Sequence, residues 1–188
     1  ESMGFSITMN SKRYAYPNSE DDALSTFVHE AGHCTNLTLP ELIRPYGRDG
    51  VHYADEVIKE RMAFQEGWSD YQEALFSEDE MNYLQRCSKR VKIEDPQIAG
   101  KYTYYDITDP AIKGTDLFRV EAVNAMIMYR MAKEIPDGQK KVNEAFAKGN
   151  LPWRSMSGFL KGFAKKYPAD AAKVAEILQE ATVGKVSG

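Results

Sequence analysis

Two histidines separated by one helical turn are the residues in this chain best suited to chemistry. They belong to the segment His29-Glu30-Ala31-Gly32-His33. On a helix, a spacing of four residues brings both side chains to one face. Neutral imidazoles placed this way can occupy two adjacent corners of a zinc tetrahedron. Glu30, beside them, can take a proton from a water on the metal, so the spacing is typical of zinc hydrolases, usually peptidases.

The residues around this motif favour a helix. Ser19 with Asp22 resembles a capping box in which Asp replaces Glu. An apolar stripe follows at 3.6-residue spacing, formed by Leu24, Phe27, Val28 and Ala31. We predict that this stripe is buried and that the two histidines lie on a different face. The helix should end before Pro40.

A catalytic zinc ion usually has three protein ligands and one open position, so a third ligand is expected elsewhere. His52 could bind a metal, but it lies in a glycine-rich turn and the sequence offers no partner for it. Glu66 and Asp70 form a Glu-x-x-x-Asp pattern beside the aromatic Trp68, which favours a buried setting. The same spacing in an acidic helix can equally describe a solvated face.

The segment from Phe64 to Asp70, taken with the histidine pair, resembles the gluzincins, the thermolysin-like branch of zinc peptidases. The resemblance covers roughly residues 19 to 76 and implies a zincin-like helical fold. It also implies that Glu66 is the third zinc ligand and that Asp70 holds His29 from behind the metal. A ligating imidazole does need an acceptor for its other N–H. The small Gly67 and Ser69 are expected to let the two helices approach closely.

The second half of the chain should supply a donor for the developing oxyanion. No histidine follows His52, so a tyrosine is expected, and Tyr105 is our candidate. Tyr104 and Tyr129 are alternatives, and each of these tyrosines can instead be a packing residue. In the apolar helix expected after residue 116, Arg119 and Glu121 could meet a substrate terminus or form a local salt bridge.

The remaining sequence predicts a mainly α (α+β) chain with a short N-terminal β edge at Phe5–Met9, which could pair with an extended substrate. Residues 39–53 are expected to form a loop at the cleft rim, and residues 101–105 resemble a strand. Further helices are predicted at 53–76, 77–90, 117–133, 137–148, 152–166 and 169–181. One domain spanning 1–188 is expected, with two lobes (1–90 and 91–188) as the alternative organisation.

Composition limits the functional classes. A net charge of −4 gives no electrostatic case for nucleic acid, and no apolar run is long enough to span a membrane. Cys34 and Cys87 could pair or remain thiols. A peptidase unit without an ATPase usually works outside the cytosol, so a secreted or periplasmic location is expected, with any leader preceding Glu1. The sequence does not indicate an oligomeric state.

The function expected from these residues is zinc-dependent hydrolysis of peptide bonds in a peptide or protein substrate, with Glu30 as general base. Three alternatives stay open at this point. The same site could act on a non-peptide amide or ester. A protein ligand such as His52 or a cysteine could close the fourth metal position and leave a non-catalytic zinc module. The chain could also be a metal-free helical interaction domain.

Overall fold

The computed structural model describes residues 19–37, 52–148 and 155–186, with the side chains of the first helix described from Leu24 to His33. Within these ranges the chain is mainly helical and contains one small sheet, as the sequence predicts. The predicted strand Phe5–Met9, residues 39–51 of the loop predicted over 39–53, and the side chain of Cys34 lie outside the described residues. Cys87 is a buried free thiol.

The described elements follow a simple order, with one hairpin between two sets of helices. The helices are α1 (Ser19–Leu37), α2 (Glu60–Ala74), α3 (Glu78–Cys87), α4 (Gly114–Leu117), α5 (Glu121–Glu134), α6 (Gly138–Lys148), α7 (Met156–Lys166) and α8 (Ala171–Ala181). The strands are β1 (Arg90–Glu94) and β2 (Tyr102–Asp106). They pair antiparallel, with Val91 opposite Tyr105. None of the helices in the described ranges is long and apolar enough to cross a membrane.

Most predicted helices are confirmed within a few residues, because their ends are marked locally. The Ser77 hydroxyl, for example, accepts a hydrogen bond from the Glu80 N–H and so caps α3. The strand expected at 101–105 is confirmed with a shift of one residue, whereas β1 was not predicted. The predicted helix over 53–76 is wrong at its start, since Lys59 is extended and α2 begins only at Glu60.

Residues 55–57 lie beside the hairpin instead of continuing α2. The Lys92 N–H donates to the Asp55 carbonyl, and the Val57 N–H donates to the Lys92 carbonyl. The Lys92 ammonium is buried, 3.8 Å from a carboxylate oxygen of Glu56 and 3.1 Å from the centre of the Tyr53 ring. These non-local bonds replace the helical hydrogen bonds that the local pattern favours.

Helices α2 and α5 form the centre of the molecule. Every residue of α5 from Glu121 to Met128 is buried, because other elements cover this helix on all sides. Trp68 of α2 stacks almost parallel on Phe146 of α6, with ring centroids 3.5 Å apart. The cluster of buried apolar side chains continues through α7 and α8, so that it includes residues on both sides of position 90. Most of α2 is buried in this core, and α1 packs on α2.

The orientation of α1 differs from the prediction. Leu24 and Phe27 are 58% and 49% exposed, so the apolar stripe is not the buried face of this helix. The face that contacts α2 is the one with His29, Gly32 and His33. Charged and hydrogen-bonding contacts with the acidic face of α2, described below, therefore decide how α1 is rotated.

Candidate metal centre

Helices α1 and α2 run antiparallel and meet along two polar faces. On each helix the contributing residues are three or four positions apart and therefore lie on one side. The facing side chains are Ser25, His29 and His33 on α1 and Glu66, Ser69, Asp70 and Glu73 on α2. The N-terminal part of α1 thus lies beside the C-terminal part of α2, and four of the predicted site residues, His29, His33, Glu66 and Asp70, come together between them.

The three predicted ligands converge on one point. The Nε2 atoms of His29 and His33 are 3.1 Å apart. The Oε2 atom of Glu66 is 3.1 Å from His33 Nε2 and 3.5 Å from His29 Nε2. In a tetrahedral zinc site with bonds of about 2.0–2.1 Å, neighbouring ligand atoms are about 3.3 Å apart. The donor types and their separations therefore fit a zinc ion within a few tenths of an ångström.

The rest of the coordination sphere is open among the described residues. No fourth histidine, cysteine or carboxylate joins the His29, His33 and Glu66 group in those ranges. The Nε2 atom of His52, the proposed alternative ligand, lies 2.9 Å from the Glu121 carboxylate. The side chains of the three ligand candidates are 21–27% exposed, so that solvent can reach them. A zinc ion bound to these three residues would therefore have no fourth ligand from the described part of the chain.

Glu30 lies between the two histidines along α1, and it is exposed. Within the described ranges no ion pair ties its carboxylate to another group. Its position on the helix, one residue beyond His29, is the one that the sequence motif requires of a general base.

Two carboxylates hold the far side of the His29 ring. Asp70 Oδ1 is 3.0 Å from His29 Nδ1, which is the placement that the resemblance implied. Glu73 Oε2 is 3.3 Å from the same nitrogen, and the Ser25 hydroxyl donates a hydrogen bond to Glu73 Oε1. Neither Glu73 nor Ser25 was among the predicted site residues. Their only signal in the sequence is helical spacing, three residues after Asp70 and four before His29.

The second histidine is held by a hydroxyl. Ser69 Oγ lies 3.1 Å from His33 Nδ1, and Ser69 is completely buried. A Cβ atom on Gly32 would lie 2.9 Å from both Cα and Oγ of Ser69, so Gly32 is what lets α1 approach α2. Ser69 has the spacing role that we predicted, but Gly67 does not. Gly67 faces α5, where a Cβ atom would lie 2.8 Å from the Glu121 carbonyl oxygen.

Two residues of the cluster, His29 and Glu66, have strongly shifted pKa values in the metal-free protein. Burial lowers the pKa of His29, but hydrogen bonds with the surrounding carboxylates outweigh it and raise the pKa to about 12. Burial raises the pKa of Glu66, and its bonds with both imidazoles more than reverse this and hold the pKa well below its usual range. Without a metal, His29 is therefore an imidazolium between carboxylates, and a metal ion binding to Nε2 has to displace a proton.

The residues predicted in the second half of the chain occupy other places. Arg119 donates to the Ile58 carbonyl and lies 3.8 Å from Asp116, whereas Glu121 lies beside His52, so Arg119 and Glu121 do not form the local salt bridge that was one of the two expectations for them. Glu121 is buried, and burial raises its pKa to about 7 although His52 opposes the shift. Tyr105 lies in the hairpin opposite Val91 and packs against the core.

Tyr105 therefore has a structural place in the hairpin, and within the described ranges no hydrogen bond joins it to the three ligand candidates. Its catalytic role stays a prediction. No protein family model, no curated protein and no solved structure matches this chain.

Proposed function

We propose that this protein is a zinc-dependent peptidase of the thermolysin-like type, with a zincin-like arrangement of its two site helices. The observation that supports this most directly is the triangle of donor atoms from His29, His33 and Glu66, with sides of 3.1, 3.1 and 3.5 Å. Two imidazoles and one carboxylate are a ligand set that catalytic zinc sites use. The partial exposure of all three side chains favours a site that a substrate can reach.

In this proposal each residue has a defined task. A zinc ion bound there would polarise the scissile carbonyl and lower the pKa of a coordinated water to about 7. Glu30 accepts a proton from the attacking water and passes it to the amine that leaves when the C–N bond breaks. Asp70 accepts a hydrogen bond from the His29 Nδ1–H and so keeps Nε2 turned towards His33 and Glu66. Ser69 orients the ring of His33 in the same way.

The alternative of a closed, non-catalytic zinc module receives less support. It needs a fourth protein ligand, and His52 was the first candidate. Its Nε2 atom is instead directed at Glu121, 2.9 Å away. Cys87 is buried in the apolar cluster and offers no ligand atom to the group of His29, His33 and Glu66.

Metal content and peptide cleavage test the proposal together. Wild-type protein should carry one zinc per chain, and His33→Ala and Glu66→Ala should lose it because two ligands do not retain a catalytic zinc ion. His52→Ala should keep the metal. Glu60→Ala is a matched control for Glu66→Ala, because Glu60 lies exposed on the same helix.

Glu30→Gln separates binding from chemistry. This variant should bind zinc as the wild type does, and its cleavage of a fluorogenic peptide library should fall by about 100-fold or more, since it lacks the general base. Zinc that survives both His33→Ala and Glu66→Ala would contradict the assigned ligands. Full peptidase activity in Glu30→Gln would contradict the mechanism.

A further inference from the structure

We propose that Glu73 is a second carboxylate that positions His29 for metal binding, and that Ser25 fixes Glu73 in this role. This inference rests on the zinc site proposed above. The Glu-x-x-x-Asp pattern accounts for Glu66 and Asp70 alone and gives Glu73 no task. Since Glu73 would act through the ring of His29, it is a positioning residue.

The contacts around Glu73 use both of its oxygen atoms. Oε2 lies 3.3 Å from His29 Nδ1, and Oε1 accepts the hydrogen bond of the Ser25 hydroxyl. The Glu73 side chain is 11% exposed, so that these contacts are made largely away from solvent. A carboxylate in such a setting interacts more strongly with an N–H group than one in water does. The Ser25 bond leaves Oε2 turned towards the imidazole.

Glu73 of α2 also links two residues of α1, Ser25 and His29. Ser25 precedes His29 by one helical turn, so that Glu73 contacts two successive turns of the histidine face of α1. Asp70 approaches the same nitrogen at 3.0 Å but has no hydrogen bond to a second group on α1 among the described contacts. Asp70 therefore fixes the tautomer of the ring. Glu73 fixes the position of the ring along the helix pair.

The chemistry of a ligating histidine agrees with this division. Once Nε2 binds a metal, the ring has one proton left, on Nδ1, and it can be shared between two acceptors. Such outer contacts hold the ring orientation and make the nitrogen ligand more basic, and losing one typically weakens metal binding by about 10–100-fold. Glu73 should therefore affect zinc affinity directly, beyond its effect on helix packing.

Zinc affinity and folding stability, measured separately, test this role. Zinc dissociation constants come from competition with a chelator, and unfolding free energies of the metal-free proteins come from urea titration. Glu73→Gln should weaken zinc binding by about 10–100-fold. Ser25→Ala should weaken it less, because Glu73 remains and only its orientation is freed. The double variant should bind no more weakly than Glu73→Gln, and Glu60→Gln on the exposed side of α2 should match the wild type.

The Nδ1 proton of His29 gives a readout that a purely structural role would not change. In zinc-loaded protein with ¹⁵N-labelled histidine, Glu73→Gln should shift the His29 Nδ1–H resonance, since one of its two acceptors loses its charge. An unshifted resonance, with zinc affinity within about threefold of wild type, would overturn the proposal even if Glu73→Gln lowers stability.

The results also separate this inference from the proposed function. Wild-type protein that binds zinc, with weakened binding in Glu73→Gln but no cleavage of any peptide, would support the positioning role and contradict the peptidase. Peptide cleavage that depends on Glu30, together with unchanged zinc affinity in Glu73→Gln, would support the peptidase and contradict the positioning role of Glu73. A wild-type protein that binds no zinc would overturn both.

Discussion

Replacing Gly32 with alanine should weaken zinc binding without touching a ligand. Gly32 lies on the face of α1 that contacts α2, and an added Cβ atom would lie 2.9 Å from Ser69 Cα and Oγ. The Cα atom belongs to the backbone of α2, which the core holds in place, so no side-chain rotation can relieve this contact. The two helices have to separate. They carry different members of the proposed ligand set, with His29 and His33 on α1 and Glu66 on α2.

The size of the effect follows from the distances. To reach an ordinary contact of 3.4 Å from 2.9 Å, the helices must move apart by 3.4 − 2.9, or about 0.5 Å. Metal–ligand bonds tolerate deviations of only about 0.2 Å. We therefore expect Gly32→Ala to weaken zinc binding at least about tenfold, or about 1.4 kcal/mol. The added methyl group should lower the unfolding free energy by about 1–3 kcal/mol through overpacking. The higher helix propensity of alanine should offset about 1 kcal/mol of this loss.

Chelator competition measures the zinc affinity, and urea unfolding of the metal-free protein measures the stability. Gly162→Ala is the matched control, because it makes the same change within α7, a helix without zinc ligands. It should leave the zinc dissociation constant unchanged. A dissociation constant for Gly32→Ala within about threefold of wild type would refute the reasoning, since the ligands would then not depend on the spacing of the two helices.

Three other changes test separate parts of the structure. Burial, together with two neighbouring carboxylates on α2, raises the pKa of Glu80 from 4.5 to about 7. The folded protein therefore holds the Glu80 proton more tightly than the unfolded chain does. This contribution to stability is complete below about pH 4.5 and is lost as the pH rises through about 7. Between about pH 5 and pH 8, the unfolding free energy of metal-free Glu80→Gln, from urea titrations, should therefore fall by about 1 kcal/mol less than that of wild type, after allowance for the partial exposure of Glu80. Glu78→Gln, which changes an exposed residue on the same turn, should show the wild-type dependence of unfolding free energy on pH. An equal dependence for both variants would contradict the pKa shift. Phe146→Ala should lower the unfolding free energy by about 3–5 kcal/mol, since it leaves a cavity beside the stacked Trp68 ring, and a loss below about 1 kcal/mol would show that the stack contributes little. Ser69→Ala removes the hydroxyl from the second histidine ring and should weaken zinc binding about tenfold in chelator competition; unchanged affinity would mean that the ring needs no such support.

The sequence allows prediction of the parts of the site that depend on one helix. The spacing of His29 and His33 brings their rings together whatever the rest of the chain does. Glu66 needs the additional resemblance to the gluzincins, because Glu56 and Glu60 have the same spacing. The structure separates the two pairs, since Glu56 faces the buried Lys92 beside the hairpin.

The contacts that depend on the register of two helices could not be predicted. Ser25 and Glu73 are ordinary helix residues in the sequence, and they meet because α1 runs antiparallel to α2 with Gly32 opposite Ser69. The same dependence explains the wrong role for Gly67. A small residue permits close packing on its own face, but the sequence does not say which neighbouring helix lies there.

The rotation of α1 follows its polar contacts with α2 and not its pattern of apolar residues. Burying the stripe with Leu24 and Phe27 would bring each of these side chains about 1.5–3 kcal/mol of hydrophobic stabilisation. It would also turn the imidazoles away from Glu66, Asp70 and Glu73, and leave three largely buried carboxylates without cationic partners, at several kcal/mol each. The electrostatic cost exceeds the apolar gain, so the histidine face packs inward.

The same balance links the fold of the helix pair to cation binding. The inner face of α2 presents Glu66, Asp70 and Glu73, whose side chains are 21%, 9% and 11% exposed. Among the described side chains of α1, the two imidazoles and the Ser25 hydroxyl contact them, and only an imidazole can carry a positive charge. Protonated His29 can supply one positive charge to this interface. A divalent ion on Nε2 would displace that proton and bring two charges, so it would satisfy the carboxylates better than the proton does. If the proposed function is right, the zinc ion would therefore be held by the same carboxylates that fix the packing of α1 on α2.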